Sequence, residues 1–272
     1  MAGIDDFLRA RSEAGLLRVL RPVSSREKGK IIVEGKEYID FSSNDYLGIS
    51  GHPRLVKANI KAMEEFGTSS CGSRLLSGDS DLHHRLEEEV ARFKHKEAAM
   101  VFNSGYQGNL GIISSIFTKG DCIFSDRLNH ASIIDGIFLS GADFFRFQHN
   151  DTEHLESLLK KERAKYNQAL VITETVFSMD GDRCPLREIV DLKKKYNYQI
   201  FVDEAHATGI FGKNGGGIVE EEGLEKEVDF IMGTFSKALG SFGAYLAAPR
   251  KVVTYLINTC RSFILARGCD CV

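Results

Sequence analysis

From residue 98 onward, short apolar runs alternate with stretches of helical period. No other feature constrains the fold as much. "AAMVF" precedes "GYQGNLGIISSIF", "CIFSD" precedes "HASIIDGIFLSG", "ADFFRFQ" precedes "DTEHLESLLKKERAKY", and "ALVITETVF" precedes "LREIVDLKKKY". "QIFVDEAH", "DFIMGTF" and "AYLAAP" complete the series. Strands alternating with helices predict right-handed βα units and a mainly parallel sheet, an α/β fold. Ligands in such sheets bind beyond the carboxyl ends of the strands. The residues just after each apolar run therefore carry the functional argument.

The residues before this rhythm differ. An amphipathic helix is expected at the start, with Ile4, Phe7, Leu8 and Leu16 on one stripe. "IIVEGKEYIDF" predicts a β-hairpin around Gly35, and "NDYLG" a turn. Residues 52–66 read as a helix with Pro53 in its first turn, and "DLHHRLEEEVARFKH" as another. The chain stops after "CRSFILARGCDCV" with no closing element, which predicts a fragment.

With 272 residues, 43% of them hydrophobic, the chain is long enough for a sizeable core. A net charge of −3 gives no basic footprint for nucleic acid. No apolar run is long enough to span a bilayer, and the N-terminus lacks the apolar core of a secretory signal, so no membrane partner is expected. The six cysteines form no CxxC pair, which points to a reducing cytoplasm. Cys269-x-Cys271 has no second ligand pair nearby, HExxH is absent, and no metal site is expected.

Five strand ends hold glycine, hydroxyl, histidine or acid residues: 103–109, 125–132, 174–182, 202–209 and 233–240. At Ser104-Gly105-Tyr106 a strand-to-helix turn can aim backbone N–H groups at an anion; a plain tight turn reads the same way. Neither GxGxxG nor GxxxxGK[ST] occurs, so the nucleotide readings lack their phosphate grip. Asp203 in "VDEAH" has three readings: a metal-binding acid of a nucleotide hydrolase, a capping acid, or a carboxylate facing a protonated ring nitrogen. The first has no phosphate loop upstream. His130 in "NHAS" reads as a helix cap or as a ring stacked on a flat ligand, and His206 follows Asp203 by three.

Lys237 stands in "MGTFSKALGSFG", after an apolar strand and between glycines, where a surface lysine is out of place. A lysine amine with a lowered pKa forms Schiff bases. Thr234 and Ser236 offer hydroxyls to a phosphate, and the glycines are expected to give a cofactor room. An amine, a carboxylate, a glycine turn with hydroxyls and a histidine, on one face of one sheet, together describe a site for pyridoxal 5′-phosphate.

These residues, with "FSSNDYLG", "GSRLLSG", "ETVFSMDGD", "DEAHATGIFG" and "GTFSKALGSFG", make the chain resemble the α-oxoamine synthases from about Arg18 to Ile264. Those enzymes use pyridoxal phosphate to join an amino acid to an acyl thioester with loss of carbon dioxide. The resemblance implies an aspartate-aminotransferase-like (fold type I) three-layer α/β/α domain with a mainly parallel seven-stranded sheet. It implies that Lys237 binds the cofactor and moves the Cα proton. Asp203 would pair with the ring nitrogen. His130 would stack on the ring and touch substrate. Ser178 and His206 would bond its O3′. Ser104, Gly105, Tyr106, Thr234 and Ser236 would hold the phosphate, Asn44 and Glu174 would line the reacting centre, and Arg18 would meet the acyl substrate. The quoted segments look most like the biotin-forming branch. That branch condenses L-alanine with pimeloyl-CoA or a pimeloyl carrier protein; a glycine and acetyl-CoA branch is the alternative. A cytoplasmic homodimer is implied. The expected organisation is an N-terminal helix and hairpin over 1–45, a cofactor domain over 46–264 and an aberrant tail over 265–272. The family's C-terminal domain, with its carboxylate-binding arginine, is expected to be missing, so activity is expected to be impaired; a non-catalytic truncated fragment that retains the fold is a second alternative.

Overall fold

A computed structural model describes residues 2–27 and 29–265. Residues 266–272, which hold Cys269, Cys271 and all but the first residue of the expected tail, lie outside the described residues. The chain divides into two units, Met1–Ser43 and Asn44–Val272.

The first unit holds helix α1 (Ala2–Glu13) and strands β1 (Val23–Glu27), β2 (Lys30–Val33) and β3 (Lys36–Ile39). The strands form an antiparallel meander, β1-β2-β3. The expected hairpin is its second half. Val33 pairs with Lys36, and the two-residue loop puts Glu34 at φ 51° and Gly35 at φ 74°. Two positive φ values in succession are what the tight hairpin turn needs, and glycine takes the second without strain. The apolar stripe of α1 is shorter than expected. The helix stops at Glu13 and Gly15 turns left-handed at φ 66°, so Leu16 lies beyond the end.

The second unit opens with α2 (Pro53–Phe66) and α3 (Asp81–Phe93). It continues as β4 (Ala98–Phe102), α4 (Gly105–Ile116), β5 (Cys122–Asp126), α5 (Ala131–Ser140), β6 (Asp143–Phe147), α6 (Thr152–Glu162), β7 (Ala169–Glu174) and α7 (Leu186–Tyr196). It closes with β8 (Gln199–Asp203), α8 (Ile218–Glu222), β9 (Phe230–Thr234), β10 (Ala244–Ala248), α9 (Arg250–Thr259) and α10 (Arg261–Ile264). The seven strands order as β4-β10-β9-β8-β7-β5-β6. Only β10 runs against its neighbours, β4 and β9; the other pairings are parallel.

Because side chains alternate across a strand, each apolar run feeds two cores. Val101, Phe124, Val171, Val202 and Ile231 face one, under α3, α6, α7 and α8. Met100, Phe102, Ile123, Ile172, Phe201 and Met232 face the other, under α4, α5, α9 and α10. The result is a three-layer α/β/α unit of fold type I. Ile112, Ile113, Ile133 and Ile137 pin α4 and α5 to the sheet with no exposed surface. Each contributes about 1.5–3 kcal/mol through burial. This packing sets the starts of α4 and α5 at the carboxyl ends of β4 and β5, where the candidate site lies.

Candidate functional site

The carboxyl ends of β7, β8 and β9 lie side by side. Glu174 and Asp203 are register partners on β7 and β8, and Asp203 pairs with Met232 on β9. The next residues along the chain carry His206 and Lys237. The Lys237 amine lies 2.6 Å from His206 Nε2, and His206 Nδ1 lies 2.7 Å from the Tyr46 hydroxyl. Tyr46 in turn donates to Asn44 Oδ1 at 3.0 Å. Burial lowers the pKa of Lys237, although Asp203 and Glu174 pull the other way. Burial and then the Lys237 charge push His206 down to about 4, so at neutral pH the imidazole is uncharged.

Two carboxylates sit behind the amine. Glu174 is buried, accepts the His130 backbone N–H at 2.6 Å, and has its pKa raised to about 8 by burial and then by Asp203. Neighbouring like charges cannot both ionise cheaply, so burial and Asp203 favour the protonated form of Glu174. Asp203 is only 5% exposed. It accepts the Ala205 N–H at 2.9 Å and the Asn109 amide at 2.9 Å. Asn129 ties the ends of β5 and β7: its amide donates to Ser125 Oγ and to the Ile172 carbonyl, both at 2.8 Å, and it accepts the Glu174 N–H at 3.1 Å.

His130 caps α5, its Nδ1 accepting the Ser132 N–H at 3.3 Å, while its ring stays exposed. Ser104 caps α4 through its hydroxyl, so Gly105 and Tyr106 present the free first N–H groups of a 12-residue helix. A Cβ on Gly105 would lie 2.9 Å from Met232 Cε, the mobile end of a flexible side chain. Tyr106 is turned outward, its hydroxyl bonded to Asp135. The Thr234 hydroxyl lies 2.8 Å from that of Ser236 and donates to the Gly243 carbonyl at 2.8 Å. Ser178 sits exposed on the turn after β7. That turn is held by His149, which bridges Asp126 at 3.0 Å and Asp182 at 2.8 Å. Burial opposes the His149 charge, but the two carboxylates outweigh it and raise its pKa. Arg18 is exposed and belongs to the first unit.

The structure thus brings together Asn44, Glu174, Asp203, His206 and Lys237, with His130 linked to Glu174. It does not hydrogen-bond Ser178 to any of them among the described residues. The glycines around Lys237 make room for protein rather than for a ligand. A Cβ on Gly233 would lie 2.2 Å from the Tyr245 hydroxyl, and one on Gly240 would lie 2.9 Å from Ser50 backbone atoms. Sequence reasoning missed Tyr46, Asn109 and Ser132. Their only signal was position, since each falls inside a stretch already singled out: "NDYLG", "NSGYQGN" and "NHAS".

Comparison with known proteins gives a consistent picture. The family model "Aminotransferase class I and II" matches residues 36–271. An 8-amino-7-oxononanoate synthase of Geotalea daltonii is 49% identical over 98% of this chain and 68% of its own length. That of Geobacter metallireducens is 50% identical over 93% of this chain and 64% of its own. Among solved structures, a serine palmitoyltransferase of Sphingomonas wittichii superposes with a TM-score of 0.92 at 37% identity, covering 97% of this chain and 67% of that one. Another structure, described as SPT with PLP internal aldimine, gives 0.91 at 33% identity, with 98% and 67% covered. The chain spans about two thirds of the length of these relatives. Among the described residues, no helix is long and apolar enough to cross a membrane.

Proposed function

The chain belongs to the class I and II aminotransferase family and, within it, to the α-oxoamine synthases, and we propose that it condenses L-alanine with a pimeloyl thioester to form 8-amino-7-oxononanoate. The observation that carries this reading is Lys237. It is a half-buried amine with a lowered pKa and no hydrogen-bonded carboxylate, set among the ends of β7, β8 and β9.

The residues fit pyridoxal 5′-phosphate. A buried carboxylate, an uncharged imidazole, a helix start whose glycine closely approaches Met232, and paired hydroxyls are the partners that a cationic ring nitrogen, a ring hydroxyl and a phosphate require. When bound, the cofactor supplies an aldehyde for Lys237 and a ring that accepts the electron pair left by the departing Cα proton. Asp203 would hold the charge on the ring nitrogen. The N–H groups of Gly105 and Tyr106, with the hydroxyls of Ser104, Thr234 and Ser236, would hold the phosphate. His206 and Ser178 would bond the ring oxygen, and the exposed face of His130 would cover the ring. Lys237 takes the Cα proton of L-alanine, a role that its lowered pKa suits. Glu174, whose protonated form is favoured by burial and by Asp203, would offer a hydrogen bond beside the reacting carbon, where an ionised acid would repel the developing charge. Asn44 would orient substrate there. Arg18 would meet the acyl chain, which arrives on coenzyme A or a carrier protein. A homodimer and a cytoplasmic location complete the reading.

The test is absorbance after adding pyridoxal phosphate, followed by turnover with L-alanine and pimeloyl-CoA. A new band that disappears in Lys237→Ala, with carbon dioxide released from alanine, supports the reading. Binding without turnover reassigns the chain as a cofactor-binding piece of the enzyme. Turnover with glycine and acetyl-CoA instead moves it to the neighbouring branch.

A further inference from the structure

The two residues expected against the cofactor ring, Asp203 and His130, are joined by a hydrogen-bond path that none of their expected roles requires. Asn109, on the second turn of α4, is 1% exposed. Its Nδ2 donates to Asp203 Oδ2 at 2.9 Å and to Ser132 Oγ at 3.0 Å, which uses both amide protons. Its Oδ1 is buried without a hydrogen-bond partner. The amide orientation is therefore fixed, because flipping it would set a carbonyl oxygen against a carboxylate. Ser132 is fully buried and accepts from Asn109, so its own proton is free for His130 Nδ1 at 2.8 Å. That nitrogen also receives the Ser132 N–H. Both donors point at Nδ1, so the ring proton sits on Nε2.

We propose that Asn109 is the positioning residue of the site: one amide orients the Asp203 carboxylate and, through Ser132, aims a hydroxyl proton at His130 Nδ1. Its cofactor role rests on the function proposed above; the Nδ1 contact does not. An acid at position 109 would have at most one proton where the amide has two. Serving Asp203 would then oblige Ser132 to donate its hydroxyl proton to residue 109, which leaves His130 Nδ1 with the Ser132 N–H alone.

The experiment uses the whole chain with 15N-labelled histidine and compares wild type, Asn109→Asp and Ser132→Ala. Asn109→Asp conserves shape, and the expected result without cofactor present is a changed His130 Nδ1 resonance, from loss of the hydroxyl donor, with the Nε2–H form kept by the Ser132 N–H. With pyridoxal phosphate added, its affinity should fall by about 10- to 100-fold, the loss expected for a hydrogen bond to a charged group. Ser132→Ala should alter the His130 Nδ1 signal while keeping the Asp203 contact, and so should cost less affinity. If Asn109→Asp fails to fold, Ser132→Ala carries the test. An unchanged His130 signal in a folded variant overturns the relay. A wild type that takes up no cofactor yet shows the Nδ1 change in its variant supports the relay and counts against the proposed function.

Discussion

Two of the lysines withdrawn from solvent, Lys94 and Lys237, have pKa values that move in opposite directions. Lys94, at the end of α3, is 2% exposed. It donates to Glu204 at 2.8 Å, to Thr208 at 3.0 Å and to the Gly216 carbonyl at 2.8 Å. Burial opposes its charge, but Glu204 and Tyr245 together outweigh burial and the pKa is raised. Lys237 is less buried, has only His206 in hydrogen-bond reach among the described residues, and its pKa is lowered. The two acids concerned, Asp203 and Glu204, are adjacent in sequence. At the end of β8 they serve opposite purposes: Glu204 is spent on Lys94, while Asp203 is held by Asn109 and left to face the site. Burial alone therefore does not make a lysine reactive. The Lys96 pKa is also lowered by burial, with the carbonyls of Glu225 and Val228 as its partners, so what distinguishes Lys237 is burial without a hydrogen-bonded carboxylate at the strand ends, beside Asp203 and His206.

The largest expected effect breaks the comparison by function. Lys237→Ala should lower turnover by at least about 10²- to 10⁴-fold, the range for losing a general base, while its urea unfolding midpoint stays near that of wild type. Lys94→Ala should do the reverse at the level of the fold. Removing one partner of a buried pair costs about 3–5 kcal/mol, measured by urea unfolding. Lys94→Met with Glu204→Met should recover most of that loss, because it leaves no charge unpaired.

The next contrast is in pH. Lys94 has a folded pKa above 10.5, so its stabilisation is complete below that value and is lost as pH rises through the folded pKa. Lys237 lies below 10.5, so its charged form costs stability that is regained as pH rises between the folded pKa and 10.5. Unfolding measured from pH 8 to 11 in Lys94→Met and Lys237→Met should show slope changes of opposite sign.

Smaller effects come from the neighbours of Lys237. His206 falls from 6.5 to about 4, so the stability it allows at neutral pH is lost as pH drops through that window. His206→Asn should flatten the decline between pH 6.5 and 4. Glu174 rises from 4.5 to about 8, so wild-type stability falls as pH climbs from 4.5 to 8. Glu174→Gln should abolish that part of the slope.

The apolar runs made the sheet legible because each is long enough to cross it and alternates between two cores. The direction of β10 was not legible, since a fully buried "AYLAA" reads alike in either direction. The five residues of α8 lie between Gly217 and Gly223 and give too few turns for a period. At the site, Asp203, His206 and Lys237 stood out by chemistry at strand ends. Lys94 did not, because "RFKH" at a helix end reads as solvent-facing, and Glu204 lies 110 positions away. Tyr46 meets His206 across 160 positions, a pairing that no local pattern encodes. Local periodicity specifies the elements, whereas the polar network depends on how distant segments meet.

The most direct test of the difference between the two lysines is borohydride reduction of the pyridoxal-phosphate-treated protein, followed by peptide mapping. The account predicts a reduced adduct on Lys237 and none on Lys94. An adduct on another lysine, or none on Lys237, would contradict it.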